Sequence, residues 1–178
     1  MGEIIELYHC SHEDSLTKID PNYFAMGFEY GGLFFSISPN TSYGDNVYKL
    51  CIDKDKILDV YRVPDVDTID KFLKMKFGQE FNDREYHLIY NVLTADHHPE
   101  SPFPTMNLKV DYSKEDEQFL CNLYGISDSI ELPMYEQKIR GELAAFAGYL
   151  GAGIYDETGE NYLITAELPL EKYVEEDD

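Results

Sequence analysis

Gly31-Gly32-Leu33-Phe34-Phe35-Ser36-Ile37 is a short apolar run, closed by glycines at one end and by Pro39-Asn40 at the other. It is too short for a helix, and its aromatic and branched side chains between turn formers suit a buried strand. Toward the N-terminus, Asp20-Pro21-Asn22 is a turn by composition. Ile4 to Tyr8 alternates weakly and reads as a strand ending at His9-Cys10-Ser11-His12. On the other side, Val47 to Asp53 alternates as a strand, and Ile57 to Val63 reads as another.

The period then changes. Ile69, Phe72, Leu73 and Phe77 stand at helical spacing from Thr68, with Gly78 placed to end the helix. Asn82 followed by Glu85 has the form of a capping box for a helix through Tyr86, Ile89, Tyr90 and Leu93. The prolines from His97 to Pro104 forbid its continuation, and that stretch is a loop. Ser113 is placed to cap a shorter helix carrying Phe119, Leu120 and Leu123, stopped near Gly125. Tyr135 to Leu150 sets Ile139, Leu143, Phe146, Ala147 and Leu150 on one helical face. Strand character returns at Gly151 to Tyr155, then a turn over Asp156 to Gly159, then Asn161 to Thr165. Strands, helices and strands again predict an α+β domain over residues 1–178. Residues 65–132 form a mainly helical insert, and the acidic tail 175–178 frays.

Composition narrows the function. The 178 residues carry 14 Lys+Arg against 35 Asp+Glu, a net charge of −21. A phosphate backbone or an anionic lipid surface would be repelled, which excludes direct nucleic-acid and membrane binding. With 43% hydrophobic residues the chain has the material for a core, which argues against disorder. No run approaches the roughly 20 apolar residues of a membrane span. Met1-Gly2-Glu3-Ile4-Ile5-Glu6 lacks the features of a signal peptide. Three scattered cysteines, Cys10, Cys51 and Cys121, suit free thiols in a reducing cytoplasm.

Three pieces of the chain carry candidate chemistry. His9, where the first strand gives way to polar sequence, can donate and accept hydrogen bonds at the mouth of a sheet; taken alone it reads first as a partly buried structural histidine. His9 and His12 flank Cys10, but no second ligand pair with suitable spacing follows, so no metal site is expected. Gly32 lets backbone approach a ligand, and Phe34 or Tyr43 can stack on a flat heteroaromatic ring; core packing is the competing reading. Asp156-Glu157-Thr158-Gly159-Glu160 is an acidic turn opening a strand, and by itself reads as a solvated loop.

Their order is more telling than any one of them. Tyr8-His9-Cys10-Ser11 resembles the Tyr/Trp-His-Gly-Ser/Thr element of the ADP-ribosyltransferases, in the diphtheria-toxin-like and poly(ADP-ribose)-polymerase-like branch. Gly32-Leu33-Phe34-Phe35-Ser36 resembles that branch's Gly-Ile-Tyr-Phe-Ala element. Small anti-CRISPR ADP-ribosyltransferases directed at type I-F surveillance complexes are similar also at Gly44-Asp45-Asn46-Val47-Tyr48, at Asp156 to Gly159 and at Tyr162-Leu163-Ile164. The resemblance spans about residues 4–60 and 140–175 and leaves the helical middle unmatched.

The resemblance implies a split mixed or antiparallel sheet that binds NAD as co-substrate, without a metal. His9 would hold the adenosine-side ribose with Ser11 beside it. Gly32 and Ser36 would belong to the same cofactor site, with Phe34 and Tyr43 enclosing the nicotinamide. Asp156 first, and Glu160 second, would supply the carboxylate, with Glu157 also open. Two positions depart from the pattern. Phe34 stands where a Tyr is usual, and Asn161 stands where the branch's catalytic Glu directly precedes the strand's aromatic. Without that Glu, single transfer is expected rather than polymer extension.

The charge implies a basic protein partner, which for this resemblance is a subunit of a CRISPR-Cas effector complex. The pyrophosphate of NAD would then need local donors, backbone N–H groups near Gly31-Gly32 or the cation Lys18. An acidic inhibitor that covers a basic groove by charge mimicry, with no chemistry, is the competing function.

Overall fold

Residue-by-residue backbone pairing carries the first strand further than its alternation does. The computed structural model describes residues 2–22, 24–25, 28–60, 62–94, 112–156 and 159–174, with backbone alone for 24, 25, 28, 94, 155, 156 and 159. Along the chain come β1 (Ile4–Ser11), β2 (Phe24–Ala25), β3 (Phe28–Glu29), β4 (Leu33–Ser36), β5 (Asn46–Asp53) and β6 (Ile57–Leu58). The helices follow as α1 (Val66–Phe77), α2 (Asp83–Thr94), α3 (Lys114–Tyr124) and α4 (Leu132–Phe146). The chain closes with β7 (Gly151–Asp156), β8 (Gly159–Ile164) and β9 (Glu171–Lys172). The α+β class therefore stands. β2 and β3 form a separate hairpin, and the other strands make one mixed sheet in the order β6-β7-β8-β4-β1-β5-β9.

β1 pairs with β5 without a break from Ile4 opposite Asp53 to Ser11 opposite Asn46. His9 thus lies inside a strand rather than beyond its end. β6 is shorter than expected: after Leu58 the backbone turns, and the carbonyls of Asp59 and Val60 point to a side chain instead of a neighbouring strand. The last helix begins earlier, at Leu132, because Pro133 is tolerated in a first turn where its missing N–H has no partner to lose. It ends at Phe146, and Leu150 leaves it: its N–H donates to the Lys56 carbonyl, and its own carbonyl takes Thr165 and Ala166. The expected caps form, with Asn82 and Glu85 exchanging bonds of 3.0 Å and Ser113 accepting from Asp116 N–H at 3.2 Å. The His97 to Pro104 loop lies outside the described residues, as does the tail 175–178.

Side chains alternate along a strand, and direct antiparallel partners share a face. The registers therefore place Leu7, His9 and Ser11 of β1 with Phe35 of β4, Tyr48 and Leu50 of β5, and Glu160, Tyr162 and Ile164 of β8. Leu7, Phe35, Tyr48 and Ile164 are 0–1% exposed there, and two segments roof them. Ile19 N–H donates to the Leu168 carbonyl and Leu170 N–H to that of Thr17, both within 2.9 Å. The opposite face of β4, β8 and β7 takes α4: Met134 meets Phe34, Leu163 and Ile154, while Ala144 meets Leu58 and Ala152. Behind α4, Ile69, Phe72 and Leu73 of α1 and Ile89 and Leu93 of α2 close a second core on Ile139 and Leu143. Each such side chain contributes about 1.5–3 kcal/mol by leaving water.

One charge sits between the layers. Arg140 is 4% exposed, and its guanidinium donates to the carbonyls of Gly153 (2.9 Å), Leu93 (2.7 Å), Asp59 (3.0 Å) and Val60 (3.1 Å). Leu93 is in the last turn of α2, whose carbonyls have no helical partner and favour a cation.

Candidate active site

β1, β4 and β8 are consecutive in the sheet, so the three stretches carrying the sequence motifs are neighbours despite lying about 25 and 125 residues apart in the chain. The junction between the first two is thin. β1 and β4 share a single ladder pair, Tyr8 opposite Ser36. One step on, the Phe34 carbonyl accepts a hydrogen bond from the His9 ring at Nδ1, 2.8 Å away. An imidazole thus stands where a backbone ladder would otherwise have continued.

That bond fixes the tautomer. The carbonyl can only accept, so Nδ1 carries the proton. Burial, partly offset by the Phe34 carbonyl, holds the His9 pKa below its ordinary value, so the ring is neutral near pH 7. Nε2 is then an acceptor. It is buried, and no described group donates to it. Phe35 lies beside the ring at 5.6 Å between centroids. Tyr48, directly opposite His9 on β5, donates its hydroxyl to the Glu13 carbonyl (2.7 Å) and receives Leu16 N–H (3.2 Å). It anchors the segment that roofs this face. The resemblance includes Tyr48 in the stretch from Gly44, but nothing in the sequence marked this anchoring role.

The other predicted residues divide between the two faces. Ser11 shares the face of His9; it is buried, and its hydroxyl accepts Glu13 N–H at 3.1 Å. Glu160 is on that face too, two strands away, roughly 10 Å across the sheet and two residues further along it. Its Oε1 accepts the Tyr162 hydroxyl at 2.6 Å. Phe34 turns to the helix-covered face. There its ring meets Tyr30 edge-on at 4.9 Å, and only its carbonyl reaches His9. Ser36 is on the Phe34 face and donates to the Ser38 carbonyl at 2.6 Å. A Cβ on Gly32 would stand 2.2 Å from the Ile164 carbonyl oxygen, so this glycine serves the close approach of β4 to β8.

Tyr43 ends a 3₁₀ turn, Thr41–Tyr43, and is 57% exposed. Gly44 presses that turn onto the end of β1, where a Cβ would come within 2.1 Å of the Ser11 backbone. Asp156 closes β7 with its backbone opposite Gly159. Its side chain, and Glu157 entirely, lie outside the described residues. Lys18 pairs with Glu167 at 2.7 Å, so its charge is already partnered. Among the described residues no three His, Cys, Asp or Glu side chains gather as metal ligands.

The chain shares its fold with an anti-CRISPR protein of known crystal structure. The two superpose with a TM-score of 0.57 over 96% of each chain, at 18% sequence identity. At that identity the likeness is one of fold. No protein-family model and no curated protein matches the sequence. No helix among the described residues is long and apolar enough to cross a membrane.

Proposed function

We propose that this chain is an NAD-dependent mono-ADP-ribosyltransferase that modifies a protein, an anti-CRISPR acting on a subunit of a CRISPR-Cas effector complex. The observation that carries the reading is the meeting of β1, β4 and β8, with a neutral His9 whose Nε2 acceptor has no donor among the described residues. A ribose hydroxyl is the kind of donor that satisfies it. Nε2 is enclosed in the free chain, so an occupant must open the way to it. The shared fold with an anti-CRISPR protein supports the inhibitory role.

The reaction breaks the bond between nicotinamide and the ribose C1′. Nicotinamide leaves as a neutral ring with the bonding pair, positive charge develops on the sugar, and a nucleophile of the target protein attacks C1′ and loses its proton. A carboxylate beside that ribose stabilises the developing charge, as in glycoside hydrolysis. Asp156, Glu157 and Glu160 are the candidate acids. Holding the two reactants in line lowers the barrier by up to roughly 7–11 kcal/mol.

The test is incubation of the protein, well below stoichiometry, with NAD and purified effector complex, followed by intact-mass measurement of each subunit. A gain of one ADP-ribose on one subunit, dependent on NAD, is expected. Inhibition that needs equimolar protein, ignores NAD and leaves every mass unchanged replaces this reading with that of an acidic mimic, which the −21 charge also favours.

A further inference from the structure

We propose that Glu160 is the carboxylate of this site and that Tyr162 is its positioning residue; the assignment rests on the transferase reading above. Residue 161, which the motif would make the acid, is an asparagine, and its register puts it on the face opposite His9. A shift of one residue along a strand exchanges faces. Glu160 therefore shares the imidazole's face, and Asn161 does not.

Tyr162 lies two residues on, in the same row of the sheet as Phe35, which in turn abuts His9. It is 4% exposed, and its hydroxyl donates to Glu160 Oε1 at 2.6 Å. Burial and the neighbouring carboxylate push the phenol pKa up, so it remains a donor at every working pH. The phenol is fixed by the core around it, so it fixes one carboxylate oxygen. Oε2, which bonds no described group, is left to accept a ribose hydroxyl. An acid held by a rigid buried donor on a strand keeps its geometry.

The experiment measures nicotinamide release from NAD by the wild-type chain, Tyr162→Phe, Glu160→Gln and their double variant. Tyr162→Phe keeps the ring in the core, and its melting curve checks that the fold survives. We expect Tyr162→Phe to lower kcat roughly 10- to 100-fold with KM little changed. Glu160→Gln should lower kcat further, and the double variant should be no slower than Glu160→Gln alone. Glu160→Asp, too short to reach the phenol, should match Tyr162→Phe. A merely structural Tyr162 would instead give losses that multiply with those of Glu160→Gln. Multiplying losses, or turnover that survives Glu160→Gln but not Asp156→Asn, overturn this assignment and leave the transferase reading standing. Absence of nicotinamide release and of protein labelling by the wild-type chain overturns both.

Discussion

His9 and Glu136 show how single buried groups write opposite pH dependences into one fold. The folded-state pKa of His9 is depressed, so folding binds fewer protons there. Its contribution is present above the unfolded value of about 6.5 and is lost as pH falls through the lower folded value. His9→Gln keeps a donor for the Phe34 carbonyl but cannot titrate. Urea melts of the two proteins should therefore show the wild type losing stability relative to the variant as pH falls below about 6.5. Glu136 of α4 goes the other way. It accepts the Tyr112 hydroxyl at 2.7 Å, and burial pushes its pKa up to about 7. Its contribution is full below the unfolded value near 4.5 and is lost as pH rises to about 7. Glu136→Gln should then stabilise the protein by about 2–3 kcal/mol at pH 8, and by little near pH 4.5. Equal stability of variant and wild type at pH 8 would contradict the burial of a charged Glu136.

At the scale of elements, a buried arginine ties the helical layer to the sheet. The Arg140 side chain joins α4 to β7, to the end of α2 and to the turn after β6 through four carbonyls. Arg140→Met fills similar volume but leaves those acceptors dry. A loss of about 3–5 kcal/mol, seen as a lower melting temperature, is expected. By contrast, Asn82→Ala removes only one half of an exposed cap on α2 and should cost about 1 kcal/mol in chemical denaturation. The ratio of these two losses measures how far tertiary contact, rather than local helix signals, holds this layer.

Over the whole molecule, a net charge of −21 bears on how charged molecules approach rather than on the fold. On the proposed transferase function, labelling of a basic target should slow by roughly 10-fold or more on going from low salt to about 1 M, where the Debye length is about 3 Å. Nicotinamide release into water, which involves no basic partner, should change far less. The comparison separates target recruitment from chemistry in one assay.

The amino-acid sequence alone was enough to specify the elements whose signals are local. Side-chain period marked the strands and helices, and Asn82, Ser113 and Gly78 marked helix ends, because a cap needs only residues within one turn. The order of the His9, Phe34 and Glu160 stretches was legible too. Which residues share a face was not. That depends on register between strands far apart in the chain, and one residue of offset separates Glu160 from Asn161 and Phe35 from Phe34. Arg140 was silent, and so was the anchoring role of Tyr48, since an arginine satisfied by four distant carbonyls or a phenol bound to a neighbouring strand's loop has no local pattern. Only the folded chain, by bringing those partners together, gives such residues their work.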